Sequence, residues 1–298
     1  MWNELFVYAA KSAFVLTLLY APYTLLLRKE HFFRQNRLTL VGILVLSLIL
    51  PFINLLHGEI GFVAPQPEPV VMNVEAQPVE PISIDISEPT SQTSQPVAVS
   101  QPTRQPIDYA QWLCILYIIG VSVAVGIRFW QFVRMDRLIR RECLWHDTVD
   151  GITIYCHASD IAPYSWMRRI VISQHDYDNH RHEILLHERG HVLCHHSWDI
   201  LLLMIVQTVQ WFNPFVYMFG ANLRDVHEYE ADDYVLRQGV SAGQYQTLLL
   251  KTAVGASAYS FANNFNHSKI KSRIVMMKHK KINPWMRCKV LYILPVAF

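Results

Sequence analysis

Charge is scarce in this sequence. Only 17% of its 298 residues are Asp, Glu, Lys or Arg, against roughly a quarter in ordinary soluble domains. The formal net charge of +2 is too small to argue for direct binding of nucleic acid. Paired cysteine chemistry is missing as well. Cys114, Cys143, Cys156, Cys194 and Cys288 are odd in number and irregularly spaced, and no Cys-x-x-Cys occurs. That pattern excludes a disulfide framework and leaves a cysteine-based zinc site without support. One long stretch, residues 58–108, is almost without basic residues and holds only Arg104.

Apolar residues are plentiful, at 52%, and they are clustered. Leu5 to Leu27, Leu38 to Leu56 and Tyr109 to Phe132 each approach the ~20 residues that cross a hydrocarbon core as a helix. The first lacks a basic n-region and is followed by Arg28-Lys29 and a second long apolar run, so it reads as a span rather than a signal peptide. Residues 1–57 are therefore expected to form two transmembrane helices with a short cytoplasmic loop, and 109–134 a third. Residues 290–298 begin another apolar run, expected as the start of a fourth.

Arg28, Lys29, Arg34 and Arg37 lie between the first two spans, and Arg134, Arg137, Arg140 and Arg141 follow the third. Basic loops stay on the cytoplasmic side. The expected location is a bacterial inner membrane crossed several times, with the N-terminus and residues 58–108 outside. That outer segment holds nine of the fifteen prolines, among Gln, Ser and Thr. Such a composition buries too little apolar area to offset its ordering entropy, and a disordered tether is expected. Residues 135–289 are expected to be a cytoplasmic domain, with short strands around Ile152–Cys156 and Arg169–Ser173.

The chemistry is written in Ile184-Leu185-Leu186-His187-Glu188-Arg189-Gly190-His191. Histidines at i and i+4 share one helix face and can converge on one Zn²⁺. Glu188, beside the first, can take the proton of the attacking water and pass it to the leaving amine. The preceding apolar triplet marks a buried helix. Gly190 costs ~1 kcal/mol in mid-helix relative to Ala, which points to close approach by another element.

Two histidines need a third protein ligand and an open position. Val226-His227-Glu228-Tyr229-Glu230-Ala231-Asp232-Asp233 offers one. Glu228 and Asp232 are again i and i+4. Glu228 is expected as the third ligand, with Asp232 accepting a hydrogen bond from a ligand imidazole. Glu230 is a rival, about 200° around the helix from Glu228. His195 is expected as a supporting or packed residue and His196 on the face opposite His187. Arg224, His227 and Tyr229 are candidates for stabilising an oxyanion.

The segment from Asp199 to Gly220 is apolar enough for a span, but a full crossing would put Glu228 on the wrong side of the membrane. Asn213-Pro214 predicts a break instead, giving two helices of about three turns in a re-entrant or buried hairpin. Gln207 and Gln210 fit a hairpin facing protein. The expected fold class is a mainly α, multi-pass membrane protein with a helical zincin-type metallopeptidase domain and a small β element.

Two spans, a low-complexity outer loop and a third span precede HERGH (187–191), WFNPFVY (211–217), HEYEAD (227–232) and FNHSKIKSRI (265–274). In this combination, over nearly its whole length, the chain resembles the BlaR/MecR antirepressor membrane metallopeptidases. The resemblance implies His187 and His191 as zinc ligands, Glu228 as the acidic ligand and Glu188 as the catalytic glutamate. It implies an outside signal relayed to a cytoplasmic protease that cleaves itself, a transcriptional repressor, or both. The lipid bilayer and a cytoplasmic protein are then the partners, and a homodimer is compatible with the family. Drug-sensing members carry a penicillin-binding domain after the fourth span. These residues include none, and the outer segment has no Ser-x-x-Lys, so the resemblance does not extend to the signal. The basic run Lys278-His279-Lys280-Lys281 fits anchoring to anionic lipid.

Overall fold

A computed structural model describes residues 2–28, 30–56, 109–257 and 263–278. The expected outer tether at 58–108 and the expected fourth span at 290–298 lie outside the described residues.

Among the described residues three helices are long and apolar enough to cross a membrane: α1 (Trp2–Leu26), α2 (Phe33–Leu56) and α3 (Tyr109–Arg141). Large apolar side chains such as Phe14, Leu25, Phe52, Ile119 and Trp130 face outward. Such an apolar exterior suits lipid rather than water. The helix α3 continues past the expected end of the third span at 134. No Gly or Pro interrupts it there, Asp136 pairs with Arg140 one turn on at 2.9 Å, and Arg140 and Arg141 sit where the helix dipole favours cations.

A four-stranded sheet follows, in the order β1-β2-β4-β3. Strands β1 (Cys143–Val149) and β2 (Ile152–His157) form an antiparallel hairpin. Its turn, Asp150-Gly151, has positive φ at both residues, the backbone that two-residue hairpins favour. Strand β4 (Arg169–Ser173) pairs parallel to β2, and β3 (Tyr164–Trp166) pairs antiparallel to β4 at the sheet edge. The sequence points to β2 and β4, whose apolar residues are buried. It does not point to β1, which is largely exposed, or to β3, which has three residues.

Strand β4 runs directly into α4 (Gln174–Leu193), with Ser173 capping the helix by accepting from the Asp176 amide. Then come α5 (His196–Val209), α6 (Pro214–Arg237), α7 (Ala242–Ser257) and α8 (Asn263–Lys278). The segment between Asp199 and Gly220 breaks where expected. Asn213 caps α6 by accepting from the Phe215 amide at 3.0 Å, and Pro214 opens the helix. The two arms are unequal, with 14 residues in α5 and 24 in α6, rather than about three turns each. Nothing stops α6 until Gly239, at φ 91°.

The α5–α6 hairpin packs against the first two spans around Leu16, Tyr23, Ile43, Leu203 and Phe219. Several of its polar groups find partners there. Gln210 donates to Ser12, halfway along α1, at 2.8 Å, Tyr117 of α3 donates to the Val209 carbonyl at 2.9 Å, and Arg128 donates to Gln207 at 2.8 Å. The hairpin tip thus reaches the middle of the spans and returns. Helix α4 crosses α6 at Gly190, where a Cβ would lie 3.3 Å from the Ala231 backbone. The glycine allows the approach that brings the HERGH helix onto the HEYEAD helix.

Candidate metal centre

The α4–α6 crossing brings His187, His191 and Glu228 together. His187 Nε2 is 3.2 Å from His191 Nε2 and 3.5 Å from Glu228 Oε2, and His191 Nε2 is 3.6 Å from Glu228 Oε1. Ligands at ~2.1 Å on a tetrahedral zinc are ~3.4 Å apart, so the triangle has the size of three corners of such a site. The hydrogen bonding agrees. Both histidines engage other groups through Nδ1, which directs both Nε2 atoms into the triangle, where a shared cation can take the place of the proton between them. Of the residues named from the sequence, Glu230 is not in this triangle.

His187 is held from the side of α6, α7 and α8. Its Nδ1 is 2.8 Å from the Tyr245 hydroxyl and 3.3 Å from Asp232 Oδ1. Tyr245 in turn donates to Asp232 at 2.8 Å. Arg273 of α8 donates to Asp232 from Nε at 2.8 Å and pairs with Glu228 at 2.9 Å. Burial alone would lower the His187 pKa, but its bonds to Asp232 and Glu228 push it up to about 9 without metal. Burial would raise Glu228, yet His187, Arg273 and His191 hold it well below the usual carboxylate range. Burial likewise acts against Asp232, and Arg273 and His187 keep it ionised.

His191 is held differently. Its Nδ1 is 2.8 Å from His196 Nδ1, and His196 Nε2 is 3.1 Å from Glu230 Oε2. Burial and the neighbouring His187 drive its pKa well below the ordinary histidine value. His196 was expected on the opposite face because the helix was counted as continuous. Helix α4 ends at Leu193, and His195 takes a left-handed turn at φ 59°. The chain swings by 58° into α5, carrying His196 beside His191 and leaving His195 itself exposed. Cys194, His196 and Glu230 also lie within 4.8 Å of one another. There the Arg37 guanidinium already reaches Glu230, at 3.3 Å, and supplies the positive charge that a cation would bring.

Glu188 is buried at 5% exposure and hydrogen-bonded by Ser165 of the edge strand β3. Burial raises its pKa, making it a stronger base than a solvated carboxylate. It shares a cleft of about 730 Å³ with the three clustered side chains, walled by Ala162–Trp166 on one side and by α7 and α8 on the other. Of the oxyanion candidates, Arg224 is exposed on the cleft wall. His227 turns toward Asp199 at 2.9 Å, and Tyr229 packs on Phe33 with ring centroids 5.6 Å apart.

Arg273, Tyr245, His196 and Arg37 receive no role at this site from the sequence. They are remote in the chain from HERGH or, for His196, hidden by the helix end, and only the tertiary fold brings them in.

The profile of the family described as BlaR1 peptidase M56 matches residues 25–277. The chain belongs to this family. Membership in the BlaR1 peptidase M56 family makes it a relative of membrane peptidases that act in signalling, with a metal as the implied cofactor. No curated protein matches it.

Proposed function

We propose that this M56 family member is a zinc endopeptidase working at the cytoplasmic face of a bacterial inner membrane. In response to an outside signal it cleaves a cytoplasmic regulator, a transcriptional repressor, itself, or both. The observation that carries the reading is the His187–His191–Glu228 triangle with the buried Glu188 on the same cleft.

His187, His191 and Glu228 would hold the metal. Two imidazoles and a carboxylate favour zinc over harder divalent ions. Zinc, when bound, acts as a Lewis acid on the reacting carbonyl and acidifies the attacking water. Glu188 takes the proton from that water and returns it to the leaving amine. Asp232 and Tyr245 fix the His187 ring so that Nε2 faces the metal. Among the described residues strand β3 pairs with β4 alone, and its Tyr164, Ser165 and Trp166 line the cleft. An extended substrate segment can add to that strand by main-chain hydrogen bonds, which suits a protein substrate better than a compact small molecule.

The membrane arrangement fits the same reading. The α1–α2 connection, the C-terminal end of α3 and the triangle lie at one end of the helix bundle, where Phe33 meets Tyr229 and Arg37 reaches Glu230. Basic residues at that end make it the cytoplasmic one.

The test uses the full chain in lipid nanodiscs with zinc and a library of natural peptides, with products mapped by mass spectrometry. Wild type cleaves, and Glu188→Gln keeps its zinc while cleaving at least ~100-fold more slowly. Zinc-loaded wild type with no cleavage of the library or of itself would favour a receptor that transmits conformation alone.

A further inference from the structure

Arg37 sits in the second turn of α2, within a candidate membrane span, yet it points into the peptidase region. Its Nε donates to Asp199 Oδ2 at 2.6 Å and its Nη1 to Glu230 Oε2 at 3.3 Å. All three side chains are largely buried, at 16%, 9% and 12% exposure. A cation at the end of a span is costly to bury and persists where it has defined partners. Here one guanidinium answers two carboxylates from two helices, a geometry suited to a fork of donors and not to a point charge.

Each carboxylate then engages one histidine. Asp199 binds His227 at 2.9 Å and Glu230 binds His196 at 3.1 Å. The two imidazoles stack with centroids 4.1 Å apart and planes 10° from parallel. His196 meets His191 through Nδ1 at 2.8 Å. With His191 Nε2 directed at the triangle, its Nδ1 carries the proton and donates to His196. His196 then carries its own proton on Nε2 and donates to Glu230. The chain of bonds has one consistent sense, ending on a carboxylate that Arg37 fixes in place.

We infer that Arg37 is a positioning residue for His191, so that the seating of membrane helix α2 sets the geometry of the metal centre. The inference rests on the reading of His187, His191 and Glu228 as metal ligands. Three contacts, Arg37 to Glu230 to His196 to His191, join α2 to the triangle. A shift of α2 large enough to break the Arg37 contacts releases Glu230, then His196, and lets the His191 ring turn. A signal that moves the spans has in this path a direct route to the site.

Cobalt(II) is the probe, because its visible absorption bands report the ligand geometry. The full chain in nanodiscs is loaded with Co²⁺ as wild type, Arg37→Gln, Arg37→Lys and Arg128→Gln. Arg128 also bonds a span to the hairpin but has no link to His191, so it controls for general loosening. Arg37→Gln is expected to change the cobalt spectrum and weaken Co²⁺ binding about tenfold, the lower end for an outer-sphere partner. Arg37→Lys, which keeps the charge but reaches one carboxylate, gives a smaller change in the same direction and serves if the glutamine variant does not fold. Arg128→Gln leaves the spectrum as in wild type. A wild-type spectrum in both Arg37 variants, or an equal change in Arg128→Gln, overturns the inference. Wild type that binds no cobalt, or binding that survives His191→Ala, overturns the metal-centre reading and the inference with it.

Discussion

The two histidines of HERGH are one helical turn apart, but they are supported from different parts of the molecule. His187 is braced by Asp232, Tyr245 and Arg273, all from α6, α7 and α8. His191 is braced through His196 and Glu230 to Arg37 of a membrane span. The first support is internal to the peptidase helices, and there the hydrogen bonds to Asp232 and Glu228 outweigh burial and Arg273 and favour a proton on His187. The second runs through His196, stacked on His227, and there burial and the neighbouring His187 hold the His191 pKa down. On the proposed reading, one motif holds two ligands of different character: one built for affinity by its own domain, the other coupled to the membrane.

The largest expected effect comes from breaking the internal support. Asp232→Ala breaks a buried ion pair, leaving Arg273 with Glu228, and removes the brace of His187. Stability should fall by roughly 3–5 kcal/mol, read by denaturant unfolding in detergent, and zinc affinity should fall with it. Equal losses from Asp233→Ala, whose carboxylate pairs with exposed Arg237, would erase the distinction.

A milder break is Tyr245→Phe. It removes one hydroxyl bonded to both His187 and Asp232 while keeping the ring. Zinc affinity should drop about tenfold, with a stability cost of about 1 kcal/mol. The change should be visible in competition with a chelator while the folded fraction stays unchanged.

Proton release sharpens the comparison directly. Without metal, His187 is raised to about 9 and His191 is lowered. Around neutral pH zinc must displace a proton from His187 and none from His191. Calorimetry in buffers of differing ionisation enthalpy should show about one proton released at pH 7. Apparent affinity should rise about tenfold per pH unit and level off near pH 9. No proton released at pH 7 would mean that the two ligands are alike.

The smallest effect is expected at the crossing itself. Gly190→Ala places a methyl 3.3 Å from the Ala231 backbone, forcing α4 and α6 apart by a few tenths of an ångström. The cost is about 1–3 kcal/mol of overpacking, partly offset by ~1 kcal/mol of helix propensity. Both histidines move relative to Glu228, so zinc affinity falls without favouring either support.

Much of this was legible in the sequence, for definable reasons. Long apolar helices are read from length and hydropathy, and among the described residues three such helices cover the segments that those properties pick out. His187 and His191 share a helix face by period alone, and Gly190 marked a crossing because a mid-helix glycine is costly. Asn213-Pro214 marked the hairpin because proline cannot continue a helix. What escaped the sequence depends on tertiary contact or on a helix end. His196 was put on the wrong face because the end of α4 at Leu193 carries no Gly or Pro to announce it. Strand β3 is too short for a periodic signal. Tyr245 and Arg273 reach the site from helices whose own sequences say nothing about His187. Arg37 counted only as one of the basic residues that orient the membrane, although its side chain turns inward to Asp199 and Glu230.

Metal content measured on the purified full chain tests the central claim most directly. Wild type, His191→Ala, Glu228→Ala and Glu230→Ala are compared by elemental analysis under non-chelating conditions. The expected result is about one zinc per wild-type chain, lost in His191→Ala, sharply weakened in Glu228→Ala, and retained with reduced affinity in Glu230→Ala. Zinc that survives Glu228→Ala but disappears in Glu230→Ala, or a wild-type chain that binds none, would contradict it.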